Sequence, residues 1–233
     1  MKKKKKGRVL IRMGLALIVL AIALGAYNLY DNYRANRSAR SGADYLRALV
    51  MPEAKQNTGA GISGSMADIP ADSVAFDIPM DSIVVDVPSE VEIPDYLLNP
   101  NMKMPVSRYN GQDYIGILEI PALRLEIPVI SDWDYPKLRI APCRYSGSAY
   151  KNDMVISAHN YAAHFGGLDK LYEGAAVRFT DIDGNVFNYR VELKETLGPR
   201  DIEYMTDSGW DLTLFTCTPG GKYRVTVRCS LVK

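Results

Sequence analysis

Three residues in the last third of this 233-residue chain could together carry out acyl transfer. Cys217 follows the apolar run 212–216 and enters the turn 218–221, and Arg224 opens the next apolar run. His159 follows the apolar run 153–158. A cysteine needs thiolate character to attack a carbonyl carbon, and a nearby imidazole or guanidinium can stabilise that charge. We therefore expect Cys217 to be the nucleophile, His159 the acid and base, and Arg224 the group that stabilises an oxyanion or holds the substrate backbone.

Each of the three residues also has an ordinary structural interpretation. A cysteine at a strand end is often a small buried hydrophobe, a lone histidine there is often structural, and an arginine that opens a strand often faces solvent. Arg228 is an alternative to Arg224, because it lies four residues further on and so on the same face of a strand. We prefer Arg224 because it is nearer the turn that follows Cys217.

The elements that would position these residues are short alternating runs separated by turns. The predicted strands cover 114–121, 125–130, 153–158, 175–180, 186–192, 212–216 and 224–232, and a short helix is predicted over 165–172. Many short strands with little helix favour an all-β fold, either a closed β-barrel or a sandwich, over residues 106–233. The acidic turn 181–185 indicates a hairpin, with a calcium-binding loop as the alternative.

Residues 31–105 differ from this domain in composition and are predicted to form an extracellular stalk. Residues 31–51 can continue a preceding helix, whereas 56–102 contain eight acidic residues and no Lys or Arg. Pro70, Pro79 and Pro88 recur every nine residues, each at the end of an Asp-Ile-Pro or Asp-Val-Pro unit. This spacing disfavours helices and central strands and predicts an extended acidic arm. The arm is either a spacer or a lid that lies in the active-site groove.

The first thirty residues have the pattern of a membrane anchor. Residues 1–8 form a basic head, and residues 9–30 form an apolar transmembrane helix of about the length that one bilayer requires. The lysine run predicts a cytoplasmic N-terminus, with the catalytic domain outside the cell membrane. A cleaved signal peptide is the alternative, although the stretch has no Ala-x-Ala site at its end.

Charge and cysteine content narrow the function classes. The chain has 28 basic and 27 acidic residues, a balance that excludes a dedicated nucleic-acid binder. Three cysteines do not make a disulfide framework, and their odd number leaves at least one free thiol. Of the two cysteines outside the expected site, Cys229 is expected to be buried in the last strand and Cys143 to be either exposed or packed, and a disulfide between them stays open.

The run TLFTC at 213–217, followed by Arg224, resembles the signature of the sortases. Residues 155–159 are similar to the strand that leads to the sortase histidine, and 116–129 are similar to the opening strands of the family. The resemblance spans 110–233 and implies a closed β-barrel of about eight strands with short helices. It implies Cys217, His159 and Arg224 as catalytic residues, with Thr216 and Asn160 at the substrate. The turn after Cys217 resembles class C and Asn160 resembles class B, which leaves the class open.

This resemblance implies a membrane-anchored cysteine transpeptidase of a Gram-positive cell surface. The partners implied are surface proteins or pilins with a C-terminal LPxTG-like sorting signal, and an amine from a cell-wall precursor or a pilin lysine. Neither a metal nor an organic cofactor is required by this chemistry. The residues leave two other functions open, a surface cysteine peptidase with the same site and a stalked binding module without catalysis.

Overall fold

One long helix precedes a β-sheet domain in the computed structural model, which describes residues 2–50, 93–207 and 209–232. The helices are α1 (Lys2–Val50), α2 (Asp95–Leu98) and α3 (Ile202–Thr206). The strands are β1 (Ser107–Tyr109), β2 (Gln112–Ile120), β3 (Leu125–Ile130), β4 (Cys143–Ser146), β5 (Met154–Ser157), β6 (Ala176–Asp181), β7 (Val186–Leu197), β8 (Leu212–Cys217) and β9 (Arg224–Leu231).

The strands form one sheet in the order β1-β2-β3-β4-β5-β8-β9-β7-β6, and an additional pairing of β2 with β6 closes it. Strands β2 to β9 therefore make a closed barrel of eight strands, and β1 is an extra strand paired with β2. This confirms the predicted all-β barrel. β2 and β6 meet at Gly116, where a Cβ atom would lie 2.1 Å from the carbonyl oxygen of Thr180. Glycine is thus required at the point of closure.

The strands that lead to His159 and Cys217 are buried along almost their whole length. Every residue of β5 is buried, as are the first five residues of β8, and the two strands pair in parallel. Strands covered on both faces appear in the sequence as continuous apolar runs, which is why 153–158 and 212–216 could be identified. β7 shows the other pattern, with Phe187, Tyr189 and Val191 facing the core between exposed neighbours.

Two strands and one helix differ from the sequence-based expectation. β1 and β4 were not predicted, because runs of three and four residues are too short to show a periodic pattern. The predicted helix over 165–172 is wrong: this stretch forms turns and a single 3₁₀ turn, Leu168–Lys170. A Cβ atom on Gly166 would lie 2.6 Å from the carbonyl oxygen of Asn160, so the chain folds back tightly here instead of continuing as a helix.

The acidic turn between β6 and β7 is a hairpin, as predicted. The Asp181 carboxylate accepts hydrogen bonds from the backbone N–H groups of Asp183 and Asn185, at 3.0 and 2.9 Å. It also accepts bonds from the Asn185 amide and the Tyr150 hydroxyl, at 2.9 and 2.7 Å. The carboxylate oxygens therefore serve to hold the turn, and the calcium-loop alternative is not needed to explain them.

Helix α1 is continuous over 49 residues. Among the described residues, Ile11–Val50 is the one helix long and apolar enough to cross a membrane, and its most apolar stretch is not buried against the rest of the protein. From residue 31 onward the helix runs on without a break, as predicted. This outer part lies against the barrel.

The outer part of α1 packs on β1, β2 and β3. Its buried side chains lie on one face of the helix: Ala35, Ala39, Ala43 and Leu46. Near its end Tyr45 stacks on Tyr109 with ring centroids 4.5 Å apart, and Arg47 forms an ion pair with Glu126. Four small or apolar residues at a spacing of three to four give a flat surface that lets the helix approach the sheet closely.

Most of the predicted acidic arm, with its three repeats and the lid interpretation, falls within 51–92, outside the described residues. After this stretch, α2 forms one helical turn in a segment that was predicted to be extended. Tyr96 of α2 stacks on Tyr150 with ring centroids 4.7 Å apart, so the segment is held on the barrel.

The end of α1 and the start of α2, on either side of the stretch 51–92, both lie near the β6–β7 turn. The carbonyl oxygen of Val50 lies 4.0 Å from the position of a Cβ atom on Gly184. On the return, Asp95 lines a cleft together with Asp183 and Asn185 of the same turn.

Cys143 and Cys229 are free and fully buried, so the disulfide alternative is wrong. Strands β5 and β8 lie between the strands of the two thiols, β4 and β9. Burial raises the pKa of the Cys143 thiol to about 12 and that of the Cys229 thiol well above its usual range. Cys217 is the partly exposed cysteine of the chain.

Candidate active site

Cys217 and Arg224 face each other across the end of an antiparallel pair. Cys217 is the last residue of β8 and pairs directly with Arg224, the first residue of β9. The turn between them is closed by hydrogen bonds from the Thr218 N–H to the Tyr223 carbonyl, 3.0 Å, and from the Tyr223 N–H to the Thr218 hydroxyl, 3.1 Å. Residues opposite each other in such a pair have neighbouring side chains, and both Cys217 and Arg224 line the same cavity.

His159 reaches the same end of the barrel from β5. The parallel register pairs Ser157 with Phe215, so His159 and Cys217 each lie two residues beyond a paired position. The Ala158 N–H donates to the Phe215 carbonyl, 3.2 Å, and the Thr216 hydroxyl donates to the Ala158 carbonyl, 2.8 Å. These two bonds extend the pairing of β5 and β8 up to the two expected catalytic residues.

A cavity of about 180 Å³ lies between these residues. His159, Cys217 and Arg224 line it on the side of the strand ends. Its apolar wall is formed by Trp133, Tyr135, Leu138, Ile202, Met205 and Phe215. The cavity therefore joins three groups suited to acyl transfer with a surface suited to apolar side chains.

The imidazole of His159 is half-buried between two tyrosines. The Tyr135 ring meets it edge-on with ring centroids 5.6 Å apart, and the Tyr161 ring lies at 4.9 Å. Within the described residues, the buried Nε2 atom has no hydrogen-bond partner. Burial, with a smaller contribution from Arg139, lowers the pKa of His159, and Asp31 opposes this shift. The ring is therefore neutral at pH 7 and free to accept a proton.

The environments of Arg224 and Arg228 differ. The Arg224 guanidinium is partly exposed and donates to the carbonyls of Gly221 and Tyr223, 3.0 and 3.1 Å, which holds it at the turn. Arg228 is 2% exposed and pairs with Glu195 at 2.8 Å. Arg228 is thus part of the barrel wall, and only Arg224 of the two lines the cavity.

The two residues expected at the substrate are placed differently. Thr216 lines the cavity, but it is buried and its hydroxyl is engaged with the Ala158 carbonyl. Asn160 is exposed and does not line the cavity. The structure thus brings together four of the five expected site residues.

Sequence analysis missed the apolar wall of the cavity. Trp133 and Tyr135 come from the loop after β3, and Ile202 and Met205 come from α3, between β7 and β8. The only signal for them was a pair of aromatic residues in a polar loop. An apolar residue in a loop that packs on a distant strand leaves no periodic pattern.

Comparison with known proteins bears on the identity of this barrel. The family model of the sortase domain matches residues 118–232. No curated protein matches the chain. Similar solved structures include sortase A from Corynebacterium diphtheriae, which is 24% identical with a TM-score of 0.48, over 52% of this chain and 62% of that chain.

Two sortases of class C are also similar. Sortase C from Streptococcus pneumoniae is 30% identical over 52% of this chain and 67% of that chain, with a TM-score of 0.46. Sortase C from Clostridium perfringens, solved with the C-terminal cell wall sorting motif, is 24% identical over 52% of this chain and 72% of that chain, with a TM-score of 0.46. The domain match runs from the last residues of β2 to the end of β9 and includes all the residues that line the cavity. The chain belongs to the sortase family.

Proposed function

We propose that this protein is a membrane-anchored cysteine transpeptidase that cleaves a C-terminal sorting signal and joins the new carboxyl end to an amine. The observation that carries this proposal is the convergence of Cys217, His159 and Arg224 on one cavity at the ends of β5, β8 and β9. The sortase family match supports the same reaction class.

The chemistry proceeds through a thioester. The Cys217 sulfur attacks the carbonyl carbon of the scissile peptide bond while His159 accepts the thiol proton. Arg224, which lines the same cavity, stabilises the oxyanion of the tetrahedral intermediate. His159 then gives the proton to the leaving amine, the C–N bond breaks and the thioester remains. An incoming amine attacks the thioester, His159 accepts its proton, and Cys217 departs as the thiolate and is reprotonated.

The cavity favours a substrate with apolar residues before the scissile bond. Its wall of aromatic and aliphatic side chains fits a short apolar segment such as the Leu-Pro of an LPxTG-like signal. The sorting motif bound by the similar sortase C from Clostridium perfringens supports this substrate class. The accepting amine would come from a cell-wall precursor or from a pilin lysine. The similar sortase C from Streptococcus pneumoniae has pilin substrate specificity, which supports the second source.

The proposed setting is the outer face of a Gram-positive cell membrane. Residues 9–30 would span the bilayer, residues 1–8 would stay in the cytoplasm, and the barrel would face the cell wall. The long apolar helix and the basic run before it support this orientation. A role for Thr216 and Asn160 at the substrate stays a prediction.

Mass spectrometry of the full chain in lipid nanodiscs tests the proposal. The protein is incubated with a library of LPxTG-like peptides, with and without an added amine, beside Cys217→Ala and His159→Ala. We expect a thioester on Cys217 and an amine-exchanged product, both absent from Cys217→Ala and reduced at least about 100-fold in His159→Ala. Cleavage without exchange for any amine would favour the peptidase. Absence of adduct and product with every peptide would favour the binding module.

Alkylation supplies an internal control, because two of the three thiols are fully buried. In the native protein, iodoacetamide should modify Cys217 alone and block transfer. In urea it should modify all three cysteines, which verifies that Cys143 and Cys229 are protected by the fold rather than chemically inert.

A further inference from the structure

Tyr161 connects the expected catalytic histidine to the helix that carries the membrane segment. Its ring lies 4.9 Å from the His159 ring, and its hydroxyl donates a hydrogen bond of 2.5 Å to the Asp31 carboxylate of α1. The two bonded residues are 130 positions apart in the chain. Tyr161 thus contacts His159 from one side, and the position of Tyr161 itself depends on α1.

His159 is positioned by ring contacts. Its Nε2 atom is buried without a hydrogen-bond partner in the described residues, and its neighbours Tyr135 and Tyr161 touch it through their rings. Tyr135 is exposed, whereas Tyr161 is partly buried and fixed at its hydroxyl. Of the two rings that contact the imidazole, the Tyr161 ring is therefore the more firmly held, and its hydrogen bond to Asp31 fixes its position.

The charged and titratable groups that face His159 come from several elements. They are Asp31 of α1, Tyr135 and Arg139 of the segment after β3, Tyr161 and His164 of its own loop, and Cys217 and Arg224 around the cavity. Asp31 is the one acid in this set, and it favours the protonated ring that must form when the thiol or the incoming amine loses its proton.

We propose that Asp31, through its hydrogen bond with Tyr161, is a positioning residue for His159, so that α1, the helix that contains the proposed membrane segment, completes the active site. This inference rests on the proposed function, because it assigns a role to Asp31 in the proton transfers of His159. Other contacts of α1, such as the Arg47–Glu126 pair, hold the helix on the barrel without reaching the cavity.

The test compares substitutions in the full chain in nanodiscs, with transfer assayed across pH. In Asp31→Ala and Tyr161→Phe we expect kcat to fall about tenfold with KM for the peptide unchanged, because neither residue lines the cavity. The double variant should lose no more than Asp31→Ala alone, since both substitutions remove the same bond. Asp31→Asn keeps an acceptor for the Tyr161 hydroxyl and should recover most of kcat.

The pH dependence separates positioning from charge. Asp31→Ala and Asp31→Asn both remove the negative charge, so in both the acid limb of the kcat profile should move to lower pH. Tyr161→Phe leaves the charge in place and should keep the limb of the parent enzyme. For a positioning residue, we expect Asp31→Asn to recover kcat while the acid limb of its kcat profile stays at the lower pH.

Two variants on the same helix serve as controls. Asp44→Ala removes an exposed acid that pairs only with Arg47 of α1 among the described residues, and it should leave kcat unchanged. Arg47→Gln loosens the helix at its far end. A fall in kcat in Arg47→Gln equal to that in Asp31→Ala would show that Asp31 merely docks the helix, and an unchanged kcat in Asp31→Ala would equally overturn the proposal.

A second readout does not depend on turnover. The chain has two histidines, so NMR titration in a Cys217→Ala background can follow His159 directly. Asp31→Ala should shift the His159 ring resonances and lower its pKa, while Asp44→Ala should change neither. If the parent enzyme transfers no acyl group, the proposed function fails, and this titration still decides whether Asp31 acts on His159.

Discussion

The two arginines of β9 have opposite environments although they share a face of the strand. Arg224 lines the cavity and is held by two backbone carbonyls. Arg228 is enclosed, with Glu195, the Thr213 hydroxyl and the Met205 carbonyl as acceptors. The sequence alone could not separate them, because their spacing gives the same orientation and only burial distinguishes their roles.

Substitution of the two arginines should therefore affect different properties, catalytic activity for Arg224 and stability for Arg228. Arg224→Gln should lower kcat/KM about 100-fold with the melting temperature unchanged, because the oxyanion loses a positive donor. Arg228→Gln should lower the free energy of unfolding by about 3–5 kcal/mol, because it leaves Glu195 unpaired in the barrel wall. Turnover assays and urea denaturation of both variants measure the two effects. The reverse pattern would assign the catalytic role to Arg228.

His164 is a buried histidine whose protonation should destabilise the fold. It is 1% exposed beneath α1, and neither ring nitrogen has a hydrogen-bond partner in the described part of the chain. Burial lowers its pKa to about 4, with a further contribution from His159. Between about pH 6.5 and pH 4 the unfolded chain binds a proton that the folded protein does not, so stability is lost as pH falls.

At about 1.4 kcal/mol per pH unit, this loss should reach roughly 3 kcal/mol at pH 4. His164→Phe should remove that part of the pH dependence and leave stability at pH 8 little changed. Urea denaturation of both proteins at pH 8, 6 and 4 measures the difference. Parallel curves for the two proteins would mean that His164 does not contribute.

Helix α1 is bound to the barrel through a small number of well-packed residues. Leu46 is fully buried and belongs to a cluster with Tyr114, Ile117 and Ile130 of the barrel. Leu49, one turn further, is 47% exposed. This contrast within one helix makes a matched pair of substitutions.

Leu46→Ala should lower the free energy of unfolding by about 3 kcal/mol, because it leaves a cavity between helix and sheet. Leu49→Ala should change it by less than about 0.5 kcal/mol. Both values come from urea denaturation in detergent. Equal effects of the two substitutions would contradict the observed packing of α1.

At the scale of elements, the sequence was most informative where local chemistry decides the structure. The hairpin at 181–185 follows from an aspartate that bonds to its own turn, and the strands that end at Cys217 and His159 follow from apolar runs. The turns at 165–172 could not be foreseen, because they depend on the close approach of Gly166 to the His159 loop. The contact of Asp31 with Tyr161 was equally invisible, because no local pattern joins residues 130 positions apart.

With residues 9–30 as the proposed membrane span, the whole molecule brings the proposed active site close to the lipid surface. The predicted span ends at residue 30, and Asp31 already contacts the loop that carries His159. Residues 31–50, about 30 Å of helix, then run along the barrel instead of lifting it away from the lipid surface. The proposed site would therefore meet substrates at the surface of the bilayer.

Thiol labelling on intact cells tests this topology. A membrane-impermeant maleimide should label the protein at Cys217 without permeabilisation, because the other two cysteines are buried. Cys217→Ser should not be labelled under either condition. Labelling that requires permeabilised cells would place the barrel in the cytoplasm and reverse the proposed orientation.

The return of the chain to the β6–β7 turn has a consequence for shedding from the cell surface. Residues 51–92 connect two points that the packing of α1 and α2 already holds near that turn. A protease that cut within this stretch would sever the covalent link between the proposed membrane segment and the barrel, yet the interface of Leu46 and its neighbours would keep the two pieces together. Release of the barrel into the medium would then be set by the dissociation rate of the two fragments and not by the rate of cleavage.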